Sequence, residues 1–101
     1  MVAHVKRQQA LVRNWVWIDL EVTPAQLAEL EKTRRKPAII LAHNVIYDSA
    51  RRWDVGDLVR TSPLHDFRDG FLFQTLNTDY VLLGQGMRKR VALETVGRIF
   101  F

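Results

Sequence analysis

The stretch "RRWDVGDLVRTSPLHDFRDG", which runs from Arg51 to Gly70, concentrates side chains that could do chemistry. It holds four arginines, four aspartates and a histidine between two apolar segments. Two histidines and five aspartates in and near this stretch are candidates for metal ligands or for an acid–base pair: His43, His65, Asp48, Asp54, Asp57, Asp66 and Asp69. None of their spacings matches a known metal motif, and adjacent residues such as His65 and Asp66 point apart in an extended chain. No metal site and no cofactor is therefore predicted.

An alternative enzymatic hypothesis is a ribonuclease, which needs little more than a histidine, an arginine and a carboxylate around a phosphate. His43 or His65 with Arg60 could form such a group, although similar trios occur by chance in basic proteins. Cysteine is absent, no serine lies in a glycine-flanked elbow, and "GQG" lacks the rest of a dinucleotide or P-loop motif. An enzyme, ribonuclease-like or metal-dependent, is the least favoured of three hypotheses.

The same stretch also has the composition of turns and of a docking loop. Aspartates beside glycine are turn formers, so "DVGD" and "FRDG" are predicted as turns. Its arginines would pair loosely with nearby aspartates, each exposed pair being worth ~0–1 kcal/mol. The arginines are Arg51, Arg52, Arg60 and Arg68, and the aspartates are Asp48, Asp54, Asp57 and Asp69. A loop this charged on a small apolar domain favours a protein contact, and tryptophan with arginine is typical of binding hot spots. The predicted protein-binding residues are Arg51, Arg52, Trp53, Asp54 and Asp57.

Nucleic-acid binding is the second hypothesis, because the basic residues are clustered. The chain carries a net charge of +4, with both ends basic and the middle slightly acidic. Trp15, Trp17, Trp53, Tyr47 and Tyr80 could offer stacking surfaces. Alternatively, the tryptophans fill the core, and the cations protect a sheet edge from aggregation. The predicted nucleic-acid contacts are Arg34, Arg35, Lys36, Arg88, Lys89 and Arg90.

Length and composition bound the architecture that must position these residues. A chain of 101 residues, nearly half of them apolar, forms a single domain with one small core. No apolar run approaches the ~20 residues of a transmembrane helix, and the N-terminus does not resemble a secretory signal. We therefore expect a cytoplasmic protein that does not contact the membrane.

Hydrophobic periodicity then predicts one helix among about five strands. "NWVWIDLEV" alternates as a strand, and "TPAQLAELEKTRRK" has a capping-box start at Thr23 and Gln26 and ends before Pro37. "AIILAHNVIY" is predicted as a buried strand broken near His43 and Asn44, and "GQG" as a tight hairpin. Residues 1–13 are predicted as a short helix or a frayed arm. The C-terminal residues Val96, Ile99 and Phe100 are expected to complete the core.

These elements predict an α+β domain over residues 1–101, with a mostly antiparallel and strongly twisted sheet. A curled, SH3-like partial barrel over residues 38–96 is the specific arrangement that we favour.

Four long phrases carry a resemblance to a known family: "LEVTPAQLAELE", "KPAIILAHNVIYDSARRWDVGDLVRTSPL", "GFLFQTLNTDYVLLGQGMRKRV" and "LETVGRIF". They resemble a domain-of-unknown-function family of small proteins from bacteria and their prophages. The resemblance covers the chain from about Trp17 to Phe100 and implies no catalytic residues. It implies a small cytoplasmic protein carried on mobile elements, and phage proteins of this size commonly occupy a surface on a host protein.

The favoured function is therefore a non-enzymatic binding module, a phage or prophage accessory protein that acts on a host protein such as a defence complex or a regulator. The alternatives are a small nucleic-acid-binding barrel and the enzyme described above. The module is expected to be a monomer or a homodimer, with residues 88–90 as a second contact patch.

Overall fold

The computed structural model describes residues 7–49, 51–52 and 56–94 of the chain. One helix and a seven-stranded sheet make a small α+β domain, as the sequence predicts. Residues Val96, Ile99 and Phe100, expected to complete the core, lie outside the described residues. The elements in chain order are β1 (Gln8–Glu21), α1 (Pro24–Lys32), β2 (Ala38–Asp48), β3 (Val59–Arg60), β4 (Asp66–Arg68), β5 (Leu72–Gln74), β6 (Thr78–Leu82) and β7 (Met87–Ala92).

The long strand β1 is the centre of the sheet. It pairs with β2 in antiparallel fashion along one edge, and with both β6 and β7 in parallel fashion along the other. The order is β3-β2-β1-β6-β5-β4, with β7 also beside β1. The sheet is therefore mixed, although four of its six pairings are antiparallel. Residues 8–13, predicted as a short helix or a frayed arm, belong to β1, since residues 8–12 pair with β6 and residues 10–13 pair with β2.

The sheet is not closed into a barrel, so the SH3-like partial barrel favoured for residues 38–96 is not supported. The central strand β1 lies outside that range, and no ladder among the described residues joins the end strands β3 and β4. Strands β1, β2, β3, β5 and β6 all contribute to one buried cluster that includes Phe73. Residues 61–65 connect the two end strands, and Leu64 forms a bridge with Lys36, just before β2. The result is an open sheet with its larger buried cluster on one face.

The "GQG" segment does not form the predicted hairpin, since β6 and β7 run in the same direction along β1. Val12 lies beside Leu82 and Val16 beside Met87. An advance of four residues along β1 therefore corresponds to an advance of five residues from β6 to β7. The segment between β6 and β7 is thus a bulge with one extra residue, in which Gly84 adopts a φ of 71°. Glycine is compatible with both a hairpin turn and a bulge, and the pairing with β1 shows that the segment is a bulge.

Beside this bulge, the alternation of side chains between the two faces of β1 shifts by one residue. Ala10 and Val12 face the larger core, whereas beyond Asn14 the residues that pack against this core are Trp15 and Trp17. Asn14 has a φ of 52°, in the left-handed region that asparagine tolerates. This shift brings both indoles to the face of the larger cluster, and a second buried cluster of Ile18, Leu20, Ile39 and Leu41 forms on the opposite face. Strand β2 is continuous through the predicted break at residues 43–44.

The helix α1 begins as predicted and ends early. The Thr23 hydroxyl accepts a hydrogen bond from the Gln26 amide N–H at 3.2 Å, and the Gln26 side chain accepts from the Thr23 amide at 2.9 Å. The helix ends at Lys32, because Thr33 caps it and Arg34 takes a φ of 58°. None of its residues is buried. None of the helices among the described residues is long and apolar enough to cross a membrane.

Candidate functional site

Two clefts on the described part of the chain contain the residues most suited to binding. We call the first the aromatic cleft: it encloses about 280 Å³ and is lined by Trp15, Trp17, Phe67, Gly86, Met87 and Arg88. We call the second the polar cleft: it encloses about 330 Å³ and is lined by Gln8, Arg35, Arg52, Ser62, Thr75, Leu76, Asn77, Thr78 and Tyr80.

Trp17 is the centre of the aromatic cleft. Its ring makes edge-to-face contacts with Phe67 and Phe73, at centroid distances of 4.9 and 5.2 Å. The Arg88 guanidinium carbon lies 5.1 Å from the centroid of the same ring, within the range of a cation–π contact. Trp17 thus contacts its own domain on several sides and is half-buried, while part of it still lines the cleft.

Arg88 is fixed by Asp19, which lies 69 residues away in the chain. Its Nε donates to Asp19 Oδ2 at 2.6 Å and a terminal nitrogen donates to Oδ1 at 3.0 Å. The Trp17 indole N–H donates to the same Oδ1 at 3.0 Å. The hydrogen bond from Arg88 holds the pKa of the Asp19 carboxyl below its ordinary value. This clamp orients Arg88 over the tryptophan, and the sequence gives no sign of it because both partners look like ordinary surface charges.

Strand β7 forms the outer wall of the aromatic cleft. Residues 87–90 are all exposed, and β7 pairs with β1 along one edge only within the described residues. Arg88 and Arg90 lie beside Trp17 and Asp19 and so share their face of the sheet, whereas Lys89 lies beside Ile18 on the other face. Neither Lys89 nor Arg90 forms an ion pair with any described residue.

The polar cleft is built around Arg52 and a buried carboxylate. The side chain of Asp48 is 0% exposed and accepts from three nitrogens of Arg52: the backbone amide at 2.6 Å, Nε at 3.3 Å and a terminal nitrogen at 3.0 Å. A further nitrogen of Arg52 donates to the Thr78 hydroxyl at 3.1 Å. Burial raises the pKa of the neighbouring Tyr80 phenol above its ordinary value. Arg52 and Asp48 pair as predicted, but in a buried bond and not in the loose exposed one expected.

The rest of the predicted protein-binding loop is only partly described. Arg51 is exposed and has a φ of 54°, and Asp57 is exposed with its carbonyl accepting from the Val45 amide at 3.3 Å. Trp53 and Asp54 lie outside the described residues. Among the predicted turns, "FRDG" is confirmed as the turn that joins β4 to β5, where Arg68 pairs with Asp66 and not with Asp69.

The candidate enzymatic residues are not brought together in either cleft. His43 is exposed on β2, and Nδ1 of His65 lies 2.7 Å from the Arg34 carbonyl oxygen. Neither histidine lines the aromatic or the polar cleft, and neither does Arg60. Within the described residues, no group of three or more histidine, aspartate or glutamate side chains is arranged to hold a metal ion.

The residues of the predicted nucleic-acid surface are divided among different surroundings. Arg35 lines the polar cleft, Arg88 lines the aromatic cleft, and Lys36 lies near Asp66. Sequence reasoning missed Asp19, Thr78 and Gly86, which position the arginines and the indole. The only local sign was the placement of Asp19 on the same strand face as the two tryptophans.

Comparison of the chain with known proteins adds a family and no activity. No curated protein and no solved structure matches the chain. A family model described as "Domain of unknown function (DUF6957)" matches residues 2–98. Because this match spans nearly the whole length, the chain belongs to the DUF6957 family.

Proposed function

We propose that the domain is a non-enzymatic binding module that takes up an extended, acidic segment of a partner protein along the open edge of β7. The observation that carries this proposal is the exposure of all four residues from Met87 to Arg90 on a strand that, within residues 7–49, 51–52 and 56–94, is paired along one edge. An unpaired strand edge offers backbone donors and acceptors to an added strand.

The charges on β7 select the chemistry of the partner. Lys89 and Arg90 make no ion pair with the described residues, and Arg88 is held in place by Asp19. Because they alternate along the strand, these cations flank an added peptide on both faces of the sheet. A peptide with glutamate or aspartate at several positions would neutralise them, and its apolar side chains would contact Met87 and the aromatic cleft.

Single-stranded nucleic acid is the competing occupant of this surface. Sequence-tolerant binding of single strands depends on aromatic faces open to the bases. The Arg88 guanidinium lies over the ring of Trp17, Phe67 and Phe73 contact the same ring, and the Trp15 indole is packed on Gly86, so neither indole offers a full face to a base. These contacts favour the peptide over the nucleic acid.

The experiment is an NMR titration of the ¹⁵N-labelled protein with a short capped peptide of alternating glutamate and valine. We expect chemical-shift changes confined to β7 and its neighbours, and weaker binding as the salt concentration rises. A version of the peptide with N-methyl groups on alternate amides keeps the charge but cannot form a ladder, so we expect it to bind far more weakly. Equal binding of both peptides would show simple charge attraction and would overturn the strand-addition proposal.

Matched double variants separate the peptide from the nucleic acid. Lys89→Gln with Arg90→Gln should abolish peptide binding, whereas Arg34→Gln with Lys36→Gln removes the same charge elsewhere and should leave it unchanged. A single-stranded oligonucleotide serves as the second probe. Tighter binding of the oligonucleotide, reduced by both double variants, would favour the nucleic-acid alternative and contradict our proposal.

The biological setting and the loop contacts belong to the same proposal. The partner would be a host protein of the bacterium, met in the cytoplasm by a prophage-encoded module, and the resemblance stated above supports this setting. Arg51 and Asp57, with Trp53 and Asp54, would add a second contact. The Arg52 guanidinium already bonds to Asp48 and Thr78, so its part in that contact would be to hold the loop against the sheet.

A further inference from the structure

The polar cleft has the lining of a site for a small anion. Two guanidinium groups, four hydroxyls and two carboxamides line it, together with the single apolar side chain of Leu76, and no carboxylate lines it. A lining of donors with cationic groups and without acidic ones favours an anionic ligand. The cleft is separate from β7, so this inference goes beyond the function proposed above.

Arg52 supplies a rigid donor to this cleft. Its bonds to the buried Asp48 carboxylate and to the Thr78 hydroxyl fix the plane of the guanidinium before any ligand arrives. A donor held in place loses little conformational entropy on binding. Asp48 compensates the charge of Arg52, and the net charge of the cleft must therefore come from elsewhere.

Arg35 supplies that charge. Its side chain is half-buried, and its Nε donates to the Thr33 hydroxyl at 2.7 Å. Its backbone amide donates to the Leu30 carbonyl at 2.9 Å, which fixes it just after the helix end. No ion pair of the described residues includes Arg35. A cation without a carboxylate partner at the mouth of a donor-lined cleft is the arrangement that recognises an oxyanion.

We propose that the polar cleft binds the phosphate ester of a small polar molecule, with Arg35 and Arg52 on the phosphate. The Thr75 and Thr78 hydroxyls already donate to the Thr78 carbonyl at 3.3 Å and to the Gln8 side chain at 3.4 Å. Phosphate is favoured over carboxylate because its oxygens can accept from both guanidinium groups, from the Ser62 hydroxyl and from the Asn77 carboxamide at once. The volume of about 330 Å³ is at the lower end of the range for small-molecule pockets and exceeds the size of one phosphate group. The remaining lining of hydroxyls and carboxamides suits a sugar-like moiety and not an apolar one.

The test is an NMR titration with three probes: ribose 5-phosphate, inorganic phosphate and ribose. We expect ribose 5-phosphate to bind at least about tenfold more tightly than ribose, with shifts in residues 75–78. Inorganic phosphate should shift the same signals with lower affinity. No shift at residues 75–78 with up to about 10 mM ribose 5-phosphate, a weak limit for a specific site, would overturn the proposal.

Two neighbouring arginines give a matched pair of variants. Arg35→Gln should weaken ribose 5-phosphate binding at least about fivefold, whereas Arg34→Gln, which removes the same charge from a residue outside the cleft lining, should change it less than about twofold. Equal weakening by the two variants would show non-specific charge attraction and would overturn the site. Ser62→Ala, at an exposed lining residue, is a second variant that should fold and should weaken binding. Arg35→Gln should leave binding of the acidic peptide to β7 unchanged, so the two proposals fail separately.

Discussion

The indole ring of Trp15 lies against the backbone of Gly86, so closely that a Cβ atom at position 86 would fall within 3.0 Å of three ring atoms. The indole N–H also donates to the Leu83 carbonyl at 3.2 Å. Trp15 therefore covers the whole bulge between β6 and β7 and holds its two ends. Because β7 begins at the next residue, this packing also sets the position of the proposed peptide-binding edge.

Replacing Gly86 with alanine should displace the Trp15 ring. We expect the free energy of unfolding to fall by about 1–3 kcal/mol, the usual cost of forcing an extra methyl group into a packed site. Chemical denaturation measures it. In a Trp15→Leu background the obstructing ring is absent, so the same alanine should cost much less. An equal loss of unfolding free energy in both backgrounds would show that the alanine acts through the backbone of residue 86 and not through a clash with Trp15.

The local elements of this fold could be predicted from sequence, and the pairing between them could not. The capping box at Thr23 and the alternation around Ile18 depend on residues a few positions apart, and both are confirmed. The bulge at Gly84 to Gly86 was predicted as a hairpin because glycine permits either form, and the choice depends on β1, about 70 residues earlier. Strong twist of the sheet stays a prediction.

In the candidate site, too, local features could be predicted from the sequence, whereas contacts between distant residues could not. The charged loop and the basic strand could be recognised from their amino-acid composition. The Asp19–Arg88 clamp could not, because it joins residues that no local pattern connects. The pairing of Asp48 with Arg52 was predicted only as one of several loose exposed pairs, and its burial depends on β2 lying inside the sheet. Sequence identifies the charges, and the topology determines which of them are structural.

Replacing Asp48 with asparagine should strongly destabilise the domain. The carboxylate is fully buried and bonded to three nitrogens of Arg52, so its loss leaves a partly buried cation without its counter-charge. Breaking such a pair costs about 3 kcal/mol or more. Thermal or urea unfolding measures the effect. Asp66→Asn breaks the exposed pair with Arg68 and should cause a much smaller fall; similar losses in the two variants would contradict the distinction.

The pKa of Asp19 should depend on Arg88. The carboxyl pKa is held below its ordinary value of 3.8, mainly by the hydrogen bond from Arg88, so the charged form stabilises the folded state. This stabilisation is present above the ordinary value and is lost as the pH falls through the lowered folded value. Carboxyl ¹³C shifts followed through an acid titration report the pKa. Arg88→Gln should raise it towards its ordinary value, and Arg68→Gln, which removes a cation from another pair, should not; an unchanged value in Arg88→Gln would refute the clamp.

Removing the helix cap should loosen α1 without unfolding the sheet. Thr23→Ala deletes the hydroxyl that accepts from the Gln26 amide, a loss worth about 1 kcal/mol to a helix. Because no residue of α1 is buried, the helix can open locally, and the free energy of global unfolding can fall by no more than the helix itself contributes. Amide hydrogen exchange should therefore accelerate in residues 27–32 and stay unchanged in β1 and β2. Thr23→Ser keeps the acceptor and should exchange like the parent protein. Equal acceleration across β1 would mean that α1 is coupled to the core, against the exposure of its residues.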